Sequence, residues 1–173
     1  MLKVRRMNTF ILTFCAAVAI ILGLTAGTNA QSEPQLRIDI PMQLEKGNVV
    51  VDFGHLVMNG DMPFALGDIH LLADDFRQWG TKGKIIVIFH GDAAFLVLND
   101  STYNMNRKTT TGNPYKGIFD ELTKEGVQLE LCGATAKGNH WSNANLLPEI
   151  KVNTNAMVRV TQLEQEGYSM IYQ

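Results

Sequence analysis

The chain has 173 residues, with 15 Lys and Arg against 17 Asp and Glu, and 46 % of its residues are apolar. That is one domain's worth of chain, able to bury a core without covalent staples, and two cysteines are too few for a disulfide scaffold. The slight acidic balance argues against nucleic acid or an anionic membrane surface as a partner, since both reward clustered positive charge.

The N-terminus opens with Lys3, Arg5 and Arg6, continues through an apolar run from Phe10 to Leu24, and ends in the small residues around Thr28, Asn29 and Ala30. A basic head, an apolar centre and a small-x-small end describe a secretory signal, and the run is short of the roughly 20 residues a membrane span needs. Residues 1–30 therefore read as a signal peptide cleaved after Ala30, with an uncleaved anchor as the alternative. The product is then periplasmic or secreted, with no membrane attachment after cleavage. Cleavage leaves 143 residues with 12 basic against 17 acidic side chains, a net charge of −5, and removes Cys15. Cys132 is left without an intramolecular partner.

Residues 31–47 are mostly polar and broken by Pro34 and Pro41, which makes them an extended lead-in to a domain spanning 48–173. The first strand is Asn48 to Phe53, built on Val49, Val50 and Val51. Pro63 then opens a helix whose apolar stripe is Ala65, Leu66, Ile69, Leu72, Ala73 and Phe76, with Gly80 as its cap and His70 on its solvated side. Ile85 to Phe89 is five apolar residues without alternation, the pattern of a strand covered on both faces of a parallel sheet. His90 and Gly91 end that strand, and Asp92 to Leu98 forms a short helix.

Asn99 to Asn113 has no apolar period and many turn formers, so it reads as a long loop. Pro114 starts a helix that buries Tyr115, Ile118, Phe119 and Leu122 and stops at Gly126. Val127, Leu129 and Leu131 alternate with Gln128 and Glu130, as in a strand with one face only partly covered. After Pro148, Glu149 to Val152 is a short strand. Asn153 or Thr154 caps a helix with the stripe Ala156, Met157, Val160 and Leu163, which ends at Gly167, and Tyr168 to Tyr172 closes the chain as a strand. About five strands interleaved with helices imply a three-layer α/β domain with a mostly parallel sheet.

In such sheets ligands bind outside the carboxyl ends of the strands. Cys132 stands at one such end and His90 at another. A helical Gly133 to Asn139 would aim free N–H groups at Cys132 and favour its thiolate. A free cysteine serves equally well as a small buried hydrophobe, and a lone histidine after a strand is more often structural, so both readings stay open. Arg107 and Lys108, in the long loop, offer either a contact for an anionic substrate or an ordinary solvated face. No C-x-x-C or H-x-x-x-H pair suggests a metal, and no phosphate-loop or G-x-G-x-x-G motif suggests a nucleotide, so no cofactor is expected.

The strand ending in His90-Gly91, the segment Gly126-Val127 through Leu131-Cys132-Gly133, and Leu146-Leu147-Pro148 followed by Val158 to Gly167-Tyr168 resemble the DsrE/DsrF-like sulfur-relay family. The resemblance covers roughly Asn48 to Gln173. It implies a compact α/β subunit that commonly assembles into homo-oligomers, and a strand-end cysteine that accepts sulfur as a persulfide and passes it to a thiol or sulfur-carrier protein. Cys132 looks like the counterpart of that cysteine; from position and charge alone, His90 is a candidate partner for it, and Gly91, Gly133, Arg107 and Lys108 are candidate substrate contacts. The expected function is therefore periplasmic sulfur carriage or transfer through one cysteine. The alternative is a non-catalytic α/β module that binds a small ligand or partner in a pocket formed by His90, the 99–113 loop and Cys132.

Overall fold

A computed structural model describes residues 36–173. The signal segment, its cleavage after Ala30, Cys15 and the first five lead-in residues lie outside the described residues. Within the described lead-in, Arg37 pairs with Asp39, and Leu36 and Ile38 are exposed. Residues 40–173 form one compact unit.

In that unit β1 (Lys46–Phe53) is followed by a small antiparallel pair, β2 (Met58–Asn59) and β3 (Met62–Pro63). Next come α1 (Phe64–Trp79), β4 (Lys82–Phe89), a 3-10 turn (Gly91–Val97), α2 (Asp100–Arg107) and α3 (Lys116–Lys124). The chain ends with β5 (Gln128–Cys132), α4 (Gly133–Gly138), a second 3-10 turn (Asn143–Asn145), β6 (Lys151–Asn153), α5 (Ala156–Gln165) and β7 (Ser169–Tyr172). Five strands form one sheet in the order β6-β5-β4-β1-β7, and every neighbouring pair in it is parallel. The expected three-layer α/β architecture is what forms.

The connectivity decides which face each helix covers. From β1 the chain steps to β4, β5 and β6 in one direction, and α1 to α4 all pack on the same face. The last connection returns across the whole sheet to place β7 beyond β1, so a crossover of the same hand puts α5 on the opposite face. The cores divide in the same way. Val49, Val51, Phe53, Val87, Phe89, Leu129 and Leu131 join α1, α3 and the 3-10 turn in the larger cluster. Val50, Ile86, Ile88 and Cys132 meet only Ala156, Val160 and Leu163 of α5, with Tyr168 against them.

Local sequence accounts for the helix ends. Gly80 adopts φ 65° past α1, and the Thr81 N–H returns to the Phe76 carbonyl at 2.9 Å, closing a left-handed cap that glycine enters without penalty. The short helix expected at Asp92 to Leu98 is the 3-10 turn, with Ala93, Ala94, Leu96 and Val97 buried.

Four expectations need correction. The segment 99–113 is half helix: the Asn99 carboxamide accepts the Thr102 N–H at 2.9 Å and caps α2, which buries only Thr102 and Tyr103. Side chains hold the remainder of the segment in place, with Asp100 accepting the Asn113 N–H and Asn113 donating to the Leu96 and Leu98 carbonyls. Glu130 is 3 % exposed rather than on a partly open face, because α5 covers it with an arginine. The cap of α5 is Asn155, whose side chain accepts the Met157 N–H, and Met157 itself points outward. His70 is half-buried, and its Nδ1 is enclosed with no partner among the described residues.

Candidate functional site

Leu131 and Phe89 are register partners, so the residues after them, Cys132 and His90, leave adjacent strands side by side at the carboxyl end of the sheet. Alternation then sorts their side chains. Leu131 and Phe89 belong to the larger core, whereas Cys132 belongs to the smaller one under α5.

Cys132 is 5 % exposed and caps α4. Its Sγ accepts a hydrogen bond from the Ala156 N–H at 3.3 Å, the donor coming from the first residue of α5. The Cys132 side chain accepts no capping hydrogen bond from the first turn of α4. Burial pushes the thiol up. The Thr135 hydroxyl and N–H, the Ala156 N–H and the Ala134 N–H together outweigh it and hold the thiol below its ordinary value. The Ala156 N–H is within reach because β6 and α5 come close to α4. A Cβ on Gly133 would overlap the Asn153 carbonyl oxygen and stand 3.2 Å from that of Thr154, so only glycine lets the two segments meet.

His90 turns away from the sulfur. Its Nε2 lies 2.8 Å from Asp52 Oδ1 on β1, the next strand over, and its side chain is 28 % exposed. Gly54 makes room for the ring, since a Cβ there would overlap His90 Cε1. A Cβ on Gly91, which sits at φ 50°, would stand 2.8 Å from the Gly54 carbonyl oxygen. Among the described residues no hydrogen bond joins His90 to Cys132. The two share the end of the sheet and its α5 face, with Asp52 as the third member of the row.

Beneath Cys132, on the same face of β5, lies a carboxylate network. Glu130 takes two bonds to its Oε1 and one to its Oε2 from the Arg159 guanidinium, at 3.0 to 3.2 Å. Asn153 Nδ2 and Gln128 Nε2 also donate to it. Burial pushes the Glu130 carboxyl up, and the bonds from Arg159, Asn153 and Gln128 bring it below the usual carboxylate range. The pair ties α5 and β6 to β5 and so fixes the donor that Ala156 presents.

The basic pair divides. The Arg107 guanidinium lies 5.7 Å over the Phe95 ring, which packs edge to face on Trp141 at 5.2 Å, so Arg107 is held above the turn after His90-Gly91. Lys108, at φ 52°, closes α2 and is exposed. Sequence reasoning missed Asp52, Glu130, Arg159 and Asn153. A signal existed for two of them: single carboxylates within VVVDF and LELC, where every neighbour is apolar.

The DsrE/DsrF-like family model matches residues 60–172. Two solved structures share the fold. A protein of unknown function, MTH1491 from Methanobacterium thermoautotrophicum, is 18 % identical at a TM-score of 0.50, with 74 % of this chain and 98 % of that one covered. The ychN protein from E. coli is 15 % identical at a TM-score of 0.54, with 73 % and 99 % covered. No curated protein matches.

Proposed function

We propose, starting from the fact that this chain belongs to the DsrE/DsrF-like family, that it is an exported sulfur carrier whose Cys132 accepts and yields one sulfur atom. The observation that carries the reading is the Ala156 N–H donating to the Cys132 sulfur at 3.3 Å, where β5 runs into α4. A thiolate is the nucleophile in sulfur exchange, and hydrogen bonds to it stabilise that form.

The chemistry balances without an oxidant. The Cys132 thiolate attacks the outer sulfur of a donor persulfide, R–S–SH; a new S–S bond forms, the old one breaks, and the products are Cys132–S–SH and the thiolate R–S⁻. An acceptor thiolate, from a small thiol or a carrier protein, then attacks the outer sulfur in the same way and regenerates the Cys132 thiolate. Family membership supports the sulfur-relay class of activity. The basic, apolar and small-residue pattern of residues 1–30 supports export.

A competing reading, an α/β binding module with an inert thiol, draws on the 5 % exposure of Cys132. Intact mass separates the two. After incubation with a small persulfide, the carrier gains about 32 Da per sulfur, removable by reductant and absent from Cys132→Ser. A wild-type protein that gains nothing, and whose folded form resists alkylation at every pH, is the binding module.

A further inference from the structure

The residues before Glu45 alternate without a break: Leu36, Ile38, Ile40, Met42 and Leu44 are apolar, and Arg37, Asp39, Pro41 and Gln43 are not. A period of two puts the apolar set on one face of an extended strand. All of that set is exposed, Ile40 at 77 % and Met42 at 67 %. Apolar surface left open in a row marks an interaction site.

The sheet has a matching opening. Its edge strands among the described residues are β6 and β7. Short length and a lysine protect an edge, and β6, three residues with Lys151, has both. No charge protects β7, where Met170, Ile171 and Tyr172 are exposed. The Gln173 N–H donates to the Asp52 carbonyl and the Gln173 carbonyl accepts the Gly54 N–H, so residues 169, 171 and 173 bond toward β1. Met170 and Tyr172 therefore turn their backbone N–H and C=O groups to the open edge. Ile171 is the register partner of Val51 and shares its face of the sheet. On that face a groove of about 280 Å³ lies between Ile171 and the α1 side chains Leu71 and Leu72.

Proline fixes the direction of a strand added there with its apolar row in the groove. In an antiparallel strand the polar set would bond β7, and Pro41 has no N–H to give. In a parallel strand the apolar residues bond Met170 and Tyr172, and Pro41 points away from the sheet, where an edge tolerates it. Parallel is also the direction of every pair within the sheet. A chain cannot add this strand to its own β7. Leu44 would lie toward the carboxyl end of the strands and Lys46 starts β1 at their amino end, with Glu45 alone between them. A parallel return needs roughly a dozen residues.

We infer that residues 36–44 are an arm that adds, in parallel, to the β7 edge of a second copy of this chain and lays its apolar row in that copy's groove. Arm and groove occur in every chain, so copies can exchange arms reciprocally. The inference does not depend on the sulfur-carrier reading.

Protein expressed from the full sequence tests it in two ways. One batch carries Ile40→Cys or Met42→Cys and another Ile171→Cys, each in a Cys132→Ser background. Mixed dilute, concentrated and oxidised, the two are expected to form a disulfide-linked pair. In the second measurement, light scattering follows mass against concentration. Combined Ile38→Asp, Ile40→Asp and Met42→Asp is expected to keep the circular dichroism of the wild type and to raise the concentration needed for association at least about tenfold. Leu71→Asp, at an exposed position of α1, is expected to do the same from the groove side. A wild type with the mass of one chain, arm variants that associate as the wild type does, or a mixture without linked pairs each overturn the inference. So does a chain carrying both Met42→Cys and Ile171→Cys that links only within itself.

Discussion

The two faces of the sheet are built differently. On one, four helices cover a continuous apolar cluster that reaches from Phe76 at the foot of the strands to Trp141 at their carboxyl ends. On the other, a single helix covers a short apolar row, and the rest of the strip beneath it is polar: Asp52 with His90, and Glu130 with Arg159, Asn153 and Gln128. Apolar packing is non-directional and tolerates drift, whereas a hydrogen-bonded carboxylate holds its partners at set distances and angles. The thick face supplies stability, and the thin face supplies the aim of one N–H at one sulfur.

Substitutions that separate these roles test the contrast. The largest loss belongs to the thick face, where Phe119 is fully buried and meets Phe89 edge to face at 5.6 Å. Phe119→Ala is expected to cost about 3–5 kcal/mol in denaturant unfolding and to leave the pH dependence of Cys132 alkylation in the folded protein where it was. A shifted thiol titration would show that the faces are not separate.

Arg159→Met comes next, at roughly 3 kcal/mol, the low end for a broken buried pair because Asn153 and Gln128 still reach the carboxylate. Its pH signature is distinctive. Glu130 is held below its ordinary value of 4.5, so its stabilising share is present above that value and is lost as pH falls through the lowered one. Without Arg159 the carboxyl rises, and the acid loss of stability moves to higher pH. Wild type and variant that lose stability over the same pH range would remove Glu130 from this role.

The smallest expected cost in stability, about 1–3 kcal/mol, falls on Gly133→Ala, whose methyl would push against the Asn153 carbonyl. Its effect on the sulfur is the sharpest. With α5 displaced, the Ala156 N–H withdraws and the alkylation midpoint moves up toward that of an ordinary thiol. An unchanged midpoint would mean that Ala156 does not matter to the thiolate.

The thick face was the more legible in sequence, and the reason is physical. Ala65, Leu66, Ile69, Ala73 and Phe76 announce a buried stripe through their spacing alone, and Ile85 to Phe89 announce a strand covered on both sides. Cys132 and the short helix after it were also readable, from a strand pattern that stops at Cys-Gly. The thin face was not, because its order comes from pairs far apart in the chain. Glu130 and Arg159 are separated by 29 residues, Asp52 and His90 by 38, and nothing local at either end names the other. Helix α2 escaped for a related reason: its ends are tied by Asn and Asp side chains bonding to backbone, which in sequence look the same as a turn-rich loop.

The return crossover also fixes when the sulfur acquires its hydrogen-bond donor. Cys132 emerges with β5, but the N–H that bonds its sulfur belongs to α5, the arginine beneath comes three residues later, and β7 closes the sheet only at residues 169–172. A growing or still-unfolded chain thus carries that atom as an ordinary thiol until its final segment docks, so the environment of Cys132 reports on the completion of the fold.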